Sequence, residues 1–245
     1  NTTFTVDVTP SPTTQGTVVT VSVPEGDNIN QIKDAGGNLA DSATKSIKYD
    51  ATAPTTTDNV PSGWQNSDIT ITFTPDDASG SGAAKVYYTT DGTTPTTSSS
   101  YVTSPYQFTI STDGTYTIKY FAVDNVGNAE AVKTATNQAQ LDKTAPTIAA
   151  NTITAPTSAT KWNGGNHNIT WTASNITDTT SGLATTPISL YYSTNASDST
   201  PTWTLIADNL SNSGSYTWNV PTDINSTDVK VRIDAVDNAG NVASQ

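Results

Sequence analysis

Apolar and polar residues alternate in short bursts along this chain. Ile69-Thr70-Ile71-Thr72-Phe73, Tyr116-Thr117-Ile118-Lys119-Tyr120 and Val229-Lys230-Val231-Arg232-Ile233 each set apolar side chains two residues apart, which is the period of a half-buried strand. No segment of helical length carries a 3.6-residue period. Between the bursts stand Asp91-Gly92, Asp113-Gly114, Gly164-Gly165 and Ser213-Gly214, the punctuation of hairpins. The pattern predicts an all-β chain of antiparallel sandwiches and excludes a parallel α/β fold.

The bursts recur in the same order. Gly63-Trp64 answers Lys161-Trp162, Asp77-Ala78-Ser79-Gly80 answers Asp178-Thr179-Thr180-Ser181-Gly182, and Val86-Tyr87-Tyr88-Thr89-Thr90 answers Leu190-Tyr191-Tyr192-Ser193-Thr194. Each series closes on one phrase, Asp124-Asn125-Val126-Gly127-Asn128 and Asp237-Asn238-Ala239-Gly240-Asn241, with a looser copy at Asp34-Ala35-Gly36-Gly37-Asn38. A linker phrase follows the first two copies of that loop, Asp50-Ala51-Thr52-Ala53-Pro54 and Asp142-Lys143-Thr144-Ala145-Pro146, with prolines 92 residues apart. That period predicts tandem modules. The expected divisions are residues 1–8, a strand that closes a neighbouring unit; 9–50, a partial unit with strands at Thr17–Val23, Asn30–Lys33 and Thr44–Tyr49; 51–143, a full sandwich; and 144–245, a sandwich lacking its final strand.

The order of landmarks resembles the immunoglobulin-like repeats of prokaryotic cell-surface, S-layer and adhesin proteins, over about residues 51 to 245. The run Tyr87-Tyr88-Thr89-Thr90-Asp91-Gly92-Thr93-Thr94-Pro95 resembles the immunoglobulin-like domain at the C-terminus of chitobiase and β-hexosaminidase enzymes. The resemblance implies immunoglobulin-like β-sandwiches joined by short Thr-Ala-Pro linkers, and by itself implies no activity.

Composition narrows the function classes. The chain is 33% hydrophobic but only 13% charged, with no cysteine and a net charge of −12. Low charge separates it from disordered chains, the missing cysteines exclude disulfides and thiolate chemistry, and the acidic balance disfavours nucleic acid. No apolar run is long enough to span a bilayer as a helix. An exported, cell-surface protein is expected, and not an enzyme. The lone His167 has no nucleophile elbow near it, and no pair of carboxylates is marked out for glycoside hydrolysis.

Three kinds of site are expected. Carboxylate and amide oxygens around a turn glycine suit a hard cation, so Asp50, Asp124, Asn128, Asp142, Asp237 and Asn241 are candidate ligands for structural Ca2+; the alternative is that Asp124 and Asp237 only shape the turn. Asp76, Asp77 and Asp178, ahead of Ser-Gly turns, read as solvated turn carboxylates. Asn1, Asn168, Asn175, Asn195, Asn209 and Asn225 stand in Asn-x-Ser/Thr sequons and are candidate N-glycan acceptors. Phe4, Val6 and Val8 form an assembly strand: residues 1–8 alternate and lead into Asp and Thr-Pro, as a segment following Gln245 would. The partner expected is another copy of the chain, added head to tail as a strand near Val229 to Ala235. The function expected is thus a segment of a cell-surface filament, pilus-like fibre or adhesin stalk. The alternative is a non-catalytic or carbohydrate-binding tail of a secreted glycoside hydrolase, with tryptophans as sugar platforms; packing explains most of these rings.

Overall fold

Alternation becomes burial in the computed structural model, which describes residues 18–23, 43–224 and 226–245. Along Ile69–Asp76 the residues Ile69, Ile71 and Phe73 are buried while Thr70 and Thr74 face solvent. This strand lies between Thr55–Asp58 and Gln107–Ile110. A second sheet runs in the order Lys133–Thr134, Lys119–Asp124, Ala83–Thr89, Ser100–Val102, and a third places Ala139–Leu141 between Trp64–Gln65 and Gly114–Tyr116. Phe73 packs against Tyr120 at 4.7 Å between ring centroids, and Tyr88 stacks on Phe108 at 4.0 Å. Such aromatic pairs add to what area burial alone gives.

The last hundred residues repeat the plan. Gly165–Trp171 lies between Ile153–Ala155 and Ser215–Val220, and a second sheet runs Thr204–Leu210, Leu183–Ser193, Lys230–Asp237, Val242–Ser244. Ile169, Trp171, Ile188, Leu190, Trp218 and Ile233 form the buried core. Among the described residues there is no α-helix, only a 3-10 turn at Ala173–Asn175, and no helix long and apolar enough to cross a membrane. The fold is all-β, of immunoglobulin-like sandwiches.

Near the N-terminus Val18–Val23 pairs antiparallel with Ala43–Lys48, from Val18 opposite Lys48 to Val23 opposite Ala43. The expected strand Asn30–Lys33 and the assembly strand of Phe4, Val6 and Val8 lie outside the described residues. Contacts group the chain into two compact units, one of residues up to Val60 with Ile71–Phe108 and Thr117–Thr136, the other of Pro61–Thr70, Thr109–Tyr116 and Asn137–Gln245.

Residues 242–244 do form a strand, paired with Lys230–Asp237 from Asp234 opposite Ser244 to Val236 opposite Val242. Lys230–Asp237 is therefore paired on its second side only over Asp234–Val236, with Ile233 bonded to Gln245, and of the expected recipient Val229–Ala235 residues 229–232 have no strand on that side among the described residues. What the described residues of this repeat do lack is any counterpart of the sheet that holds Ala139–Leu141.

Candidate functional site

Six aspartates gather into two threes. Asp50, Asp77 and Asp124 each bring a carboxylate oxygen within 4.8 Å of the others, as do Asp142, Asp178 and Asp237. Each trio joins a linker aspartate, an aspartate ahead of a Ser-Gly turn and the first residue of the Asp-Asn-x-Gly-Asn loop. Each lies wholly within one compact unit.

The loop chemistry explains every fixed residue of the phrase. Asp237 Oδ1 accepts the backbone N–H of Ala239 and of Asn241, both at 2.9 Å, and Asp124 Oδ1 accepts those of Val126, Gly127 and Asn128. The glycines sit at φ +102° in Gly127 and +89° in Gly240, where a side chain is strained. The first asparagine of the phrase ties the loop to the Ser-Gly turn: Asn238 Nδ2 donates to Ser181 O at 2.8 Å, and Asn125 Nδ2 to Ser81 O at 2.9 Å. The last asparagine ties it to the linker: Asn241 Nδ2 donates to Asp237 Oδ2 and to Asp142 O, both at 2.8 Å, and Asn128 does the same toward Asp124 and Asp50.

The linker aspartates reach the other way. Asp142 accepts Thr144 N–H and Ser181 N–H, each at 3.0 Å. Asp50 accepts Thr52 N–H and Ser81 N–H in the same two roles. The turn aspartates close the ring, with Asp178 Oδ1 accepting Gly182 N–H at 2.7 Å and Asp77 Oδ2 accepting Gly82 N–H at 2.6 Å. Linker, turn and loop are thus pinned by one hydrogen-bonded lock, built twice.

Asp124, Asp142 and Asp237 are at most 3% exposed, and Asp77 and Asp178 are half-buried. The reading of Asp77 and Asp178 as solvated turn groups is therefore corrected: the fold draws them into the clusters. Asp76 keeps a turn role alone, accepting Ala78 N–H, whereas Asp178 combines such a turn bond, from Thr180 N–H, with its place in the cluster. Asn128 and Asn241 present amide nitrogen rather than oxygen to the carboxylates, so in this geometry they donate hydrogen bonds rather than supply ligand oxygens. Of the ion pairs among the described residues none reaches Asp142, Asp178 or Asp237, and Asp77 Oδ1 is buried with no hydrogen-bond partner. In the second trio three carboxylates thus converge with no ion pair among the described residues, a hard-oxygen donor set.

The glycan candidates divide by exposure. Asn168 and Asn209 are exposed, on Gly165–Trp171 and Thr204–Leu210. Asn175 and Asn195 are half-buried, and Asn195 Nδ2 is held by Asp198 at 2.8 Å. Asn1 and Asn225 lie outside the described residues. His167 stacks on Trp162 at 4.9 Å and bonds Asn163 O, a structural placement.

Other polar groups serve the frame. Burial, and then the hydrogen bond to Asp58, holds the Tyr120 hydroxyl well above the ordinary tyrosine range. The backbone N–H of Ser197, then its hydroxyl, holds the Asp228 carboxyl below the ordinary aspartate value. On the outer sheet face the Arg232 guanidinium lies 4.5 Å from the Tyr191 ring and 4.9 Å from the Trp203 ring.

Comparison with known proteins gives two family matches, one per repeat. Residues 60–134 match the chitobiase/β-hexosaminidase C-terminal domain, and residues 155–244 match the Kre9/KNH-like N-terminal Ig-like domain. No curated protein matches the chain. Among solved structures, the fibronectin(III)-like modules of Clostridium thermocellum CbhA align at 18% identity over 78% of this chain and 90% of that one, with a TM-score of 0.43. The FN1–FN3 domains of chicken CNTN1 align at 14% identity over 88% and 75%, with a TM-score of 0.33.

Proposed function

We propose that this chain is an extracellular structural protein, a segment of a surface filament or stalk, in which each linker is fixed to the module that follows it. The observation that supports this best is the duplicated lock of linker, turn and loop. A string of sandwiches joined by free linkers bends at every joint. A linker whose aspartate is buried, and whose carbonyl and carboxylate are both bonded to the following module, does not swing. Ca2+ held by Asp50, Asp77 and Asp124, and by Asp142, Asp178 and Asp237, would relieve the repulsion within each trio and stiffen the joint further. N-glycans on the exposed Asn168 and Asn209 fit an outward-facing surface in the same reading.

Electron microscopy of native material with and without chelator tests this. Extended filaments that become visibly more flexible after calcium removal are expected, whereas isolated particles would refute the filament. A second reading, a non-catalytic tail of a secreted glycoside hydrolase, draws on the chitobiase-type match of residues 60–134 and on the aromatic face of Tyr191 and Trp203. Particles that bind polysaccharide in place of forming filaments would select it.

A further inference from the structure

Asn163-Gly164 is the single place in the chain where glycine directly follows asparagine. The fold requires that glycine. A Cβ at residue 164 would collide with the Thr222 side chain and lie 3.2 Å from the Thr222 Cα, just where the strand Gly165–Trp171 begins. Without a Cβ, the Gly164 nitrogen is unshielded and its backbone is free to turn toward the preceding side chain. That side chain is available. Asn163 is exposed, and its side-chain amide has no hydrogen-bond partner among the described residues. Asn212-Ser213 shows the contrast: Asn212 Oδ1 accepts the Trp171 indole N–H at 2.8 Å and its Nδ2 donates to Ala173 O at 3.0 Å. Both Asp-Gly pairs are held as well, Asp91 by Thr93 and Asp113 by Lys143 and Thr144.

A second group acts on the same peptide bond. His167 Nε2 lies 2.8 Å from Asn163 O; a carbonyl oxygen only accepts, so Nε2 carries the proton and donates it. Stacking on Trp162 holds the imidazole in place, 4.9 Å between ring centroids and 14° between planes. The Asn163 carbonyl and the Gly164 nitrogen belong to one conjugated amide. When the nitrogen gives up its proton, negative charge moves onto that oxygen, where a fixed donor stabilises it.

We propose that Asn163 is a site of self-modification, deamidating to aspartate or isoaspartate, and that His167 promotes the ring closure. The Gly164 N–H passes its proton to solvent base, and the nitrogen bonds to Asn163 Cγ. The Cγ–Nδ2 bond breaks, and that nitrogen leaves as ammonia after taking a proton from water. A five-membered succinimide remains. Water then opens the ring at either carbonyl, giving aspartate with the ordinary main chain or isoaspartate with an extra methylene in it. Water is the only co-reactant. Either product adds one negative charge next to Lys161 and Trp162 in a chain already at −12, and isoaspartate lengthens the main chain just ahead of Gly165–Trp171. His167 works through the carbonyl oxygen and does not touch the atoms that bond. The chemistry does not depend on filament formation.

Full-length protein aged in mildly alkaline buffer, then digested and weighed, should exchange NH for O on the peptide carrying residue 163. Electron-transfer fragmentation separates the isoaspartate form. Asn163→Gln should stay unchanged at that position, because its longer side chain closes a ring far more slowly. His167→Phe keeps an aromatic ring for Trp162 but offers no N–H, and should lower the folded-state rate at least about threefold, the low end of what one hydrogen bond contributes. In urea, where the contact is lost, His167→Phe and the unsubstituted chain should react alike, which isolates the folded contact from the change in local sequence. Circular dichroism checks that His167→Phe folds. Equal folded-state rates for the two overturn the role of His167. A folded chain that keeps its Asn163 amide while the unfolded chain loses it overturns the site itself.

Discussion

Asp237 carries more of the C-terminal repeat than its single charge implies, because one carboxylate satisfies two backbone N–H groups and an asparagine amide, all in a site only 2% exposed. Replacing it with alanine strands those donors away from water, each at a cost of about 1–3 kcal/mol. Asp237→Ala should therefore lose about 2–4 kcal/mol in urea unfolding, while Asp198→Ala, on an exposed loop, should change stability little. Asp228 makes a pH prediction. Its folded-state pKa is depressed by Ser197, so its contribution is fully present above the unfolded value of about 3.9 and is lost as pH falls through the lower folded value. Carboxyl chemical shifts should show Asp228 titrating below about 3.9, with the Ser197 amide following the same curve. The Asp-Asn-x-Gly-Asn residues were legible because each acts within its own loop. Asp77 and Asp178 were not, since their burial depends on a linker aspartate 27 residues before one and 36 before the other, and local sequence cannot show that approach.

At the scale of strands, alternation found Ile69–Asp76 and Lys230–Asp237 because each carries one apolar face. It did not show that residues 242–244 cover only Asp234–Val236 of that second strand, because period-2 patterning reports faces and says nothing of what sits beside a strand. The short strand Ala139–Leu141 shows how much three residues can carry: Leu141 is 0% exposed in a strand paired on both sides. Leu141→Ala should cost about 2–5 kcal/mol, the range for truncating a buried leucine. Thr115→Ala, on the exposed face of the same ladder, should cost well under that, and thermal melts of the two variants give the comparison directly.

At the scale of the molecule the two carboxylate trios set a stoichiometry. A cation that binds the folded chain and not the unfolded one stabilises it by RT ln(1 + [L]/Kd), about 2.7 kcal/mol at one hundred times Kd for each site. Calorimetric titration of chelated protein should show two Ca2+ per chain from the described trios. Asp142→Asn removes one negative charge from the second trio and keeps one side-chain oxygen, enough for only one of the Thr144 and Ser181 amides, which bond different oxygens of Asp142, and Asp50→Asn does the same for the first. Either substitution should reduce the count to one and halve the calcium-induced stabilisation, and the double variant should show neither. If calcium produces no heat and no shift in Tm, the trios are hydrogen-bonded locks alone. The stiffness of the linkers then rests on Asn128, Asn241 and the buried aspartates without a metal, and Asn241→Leu should loosen the second linker as much with chelator present as with calcium.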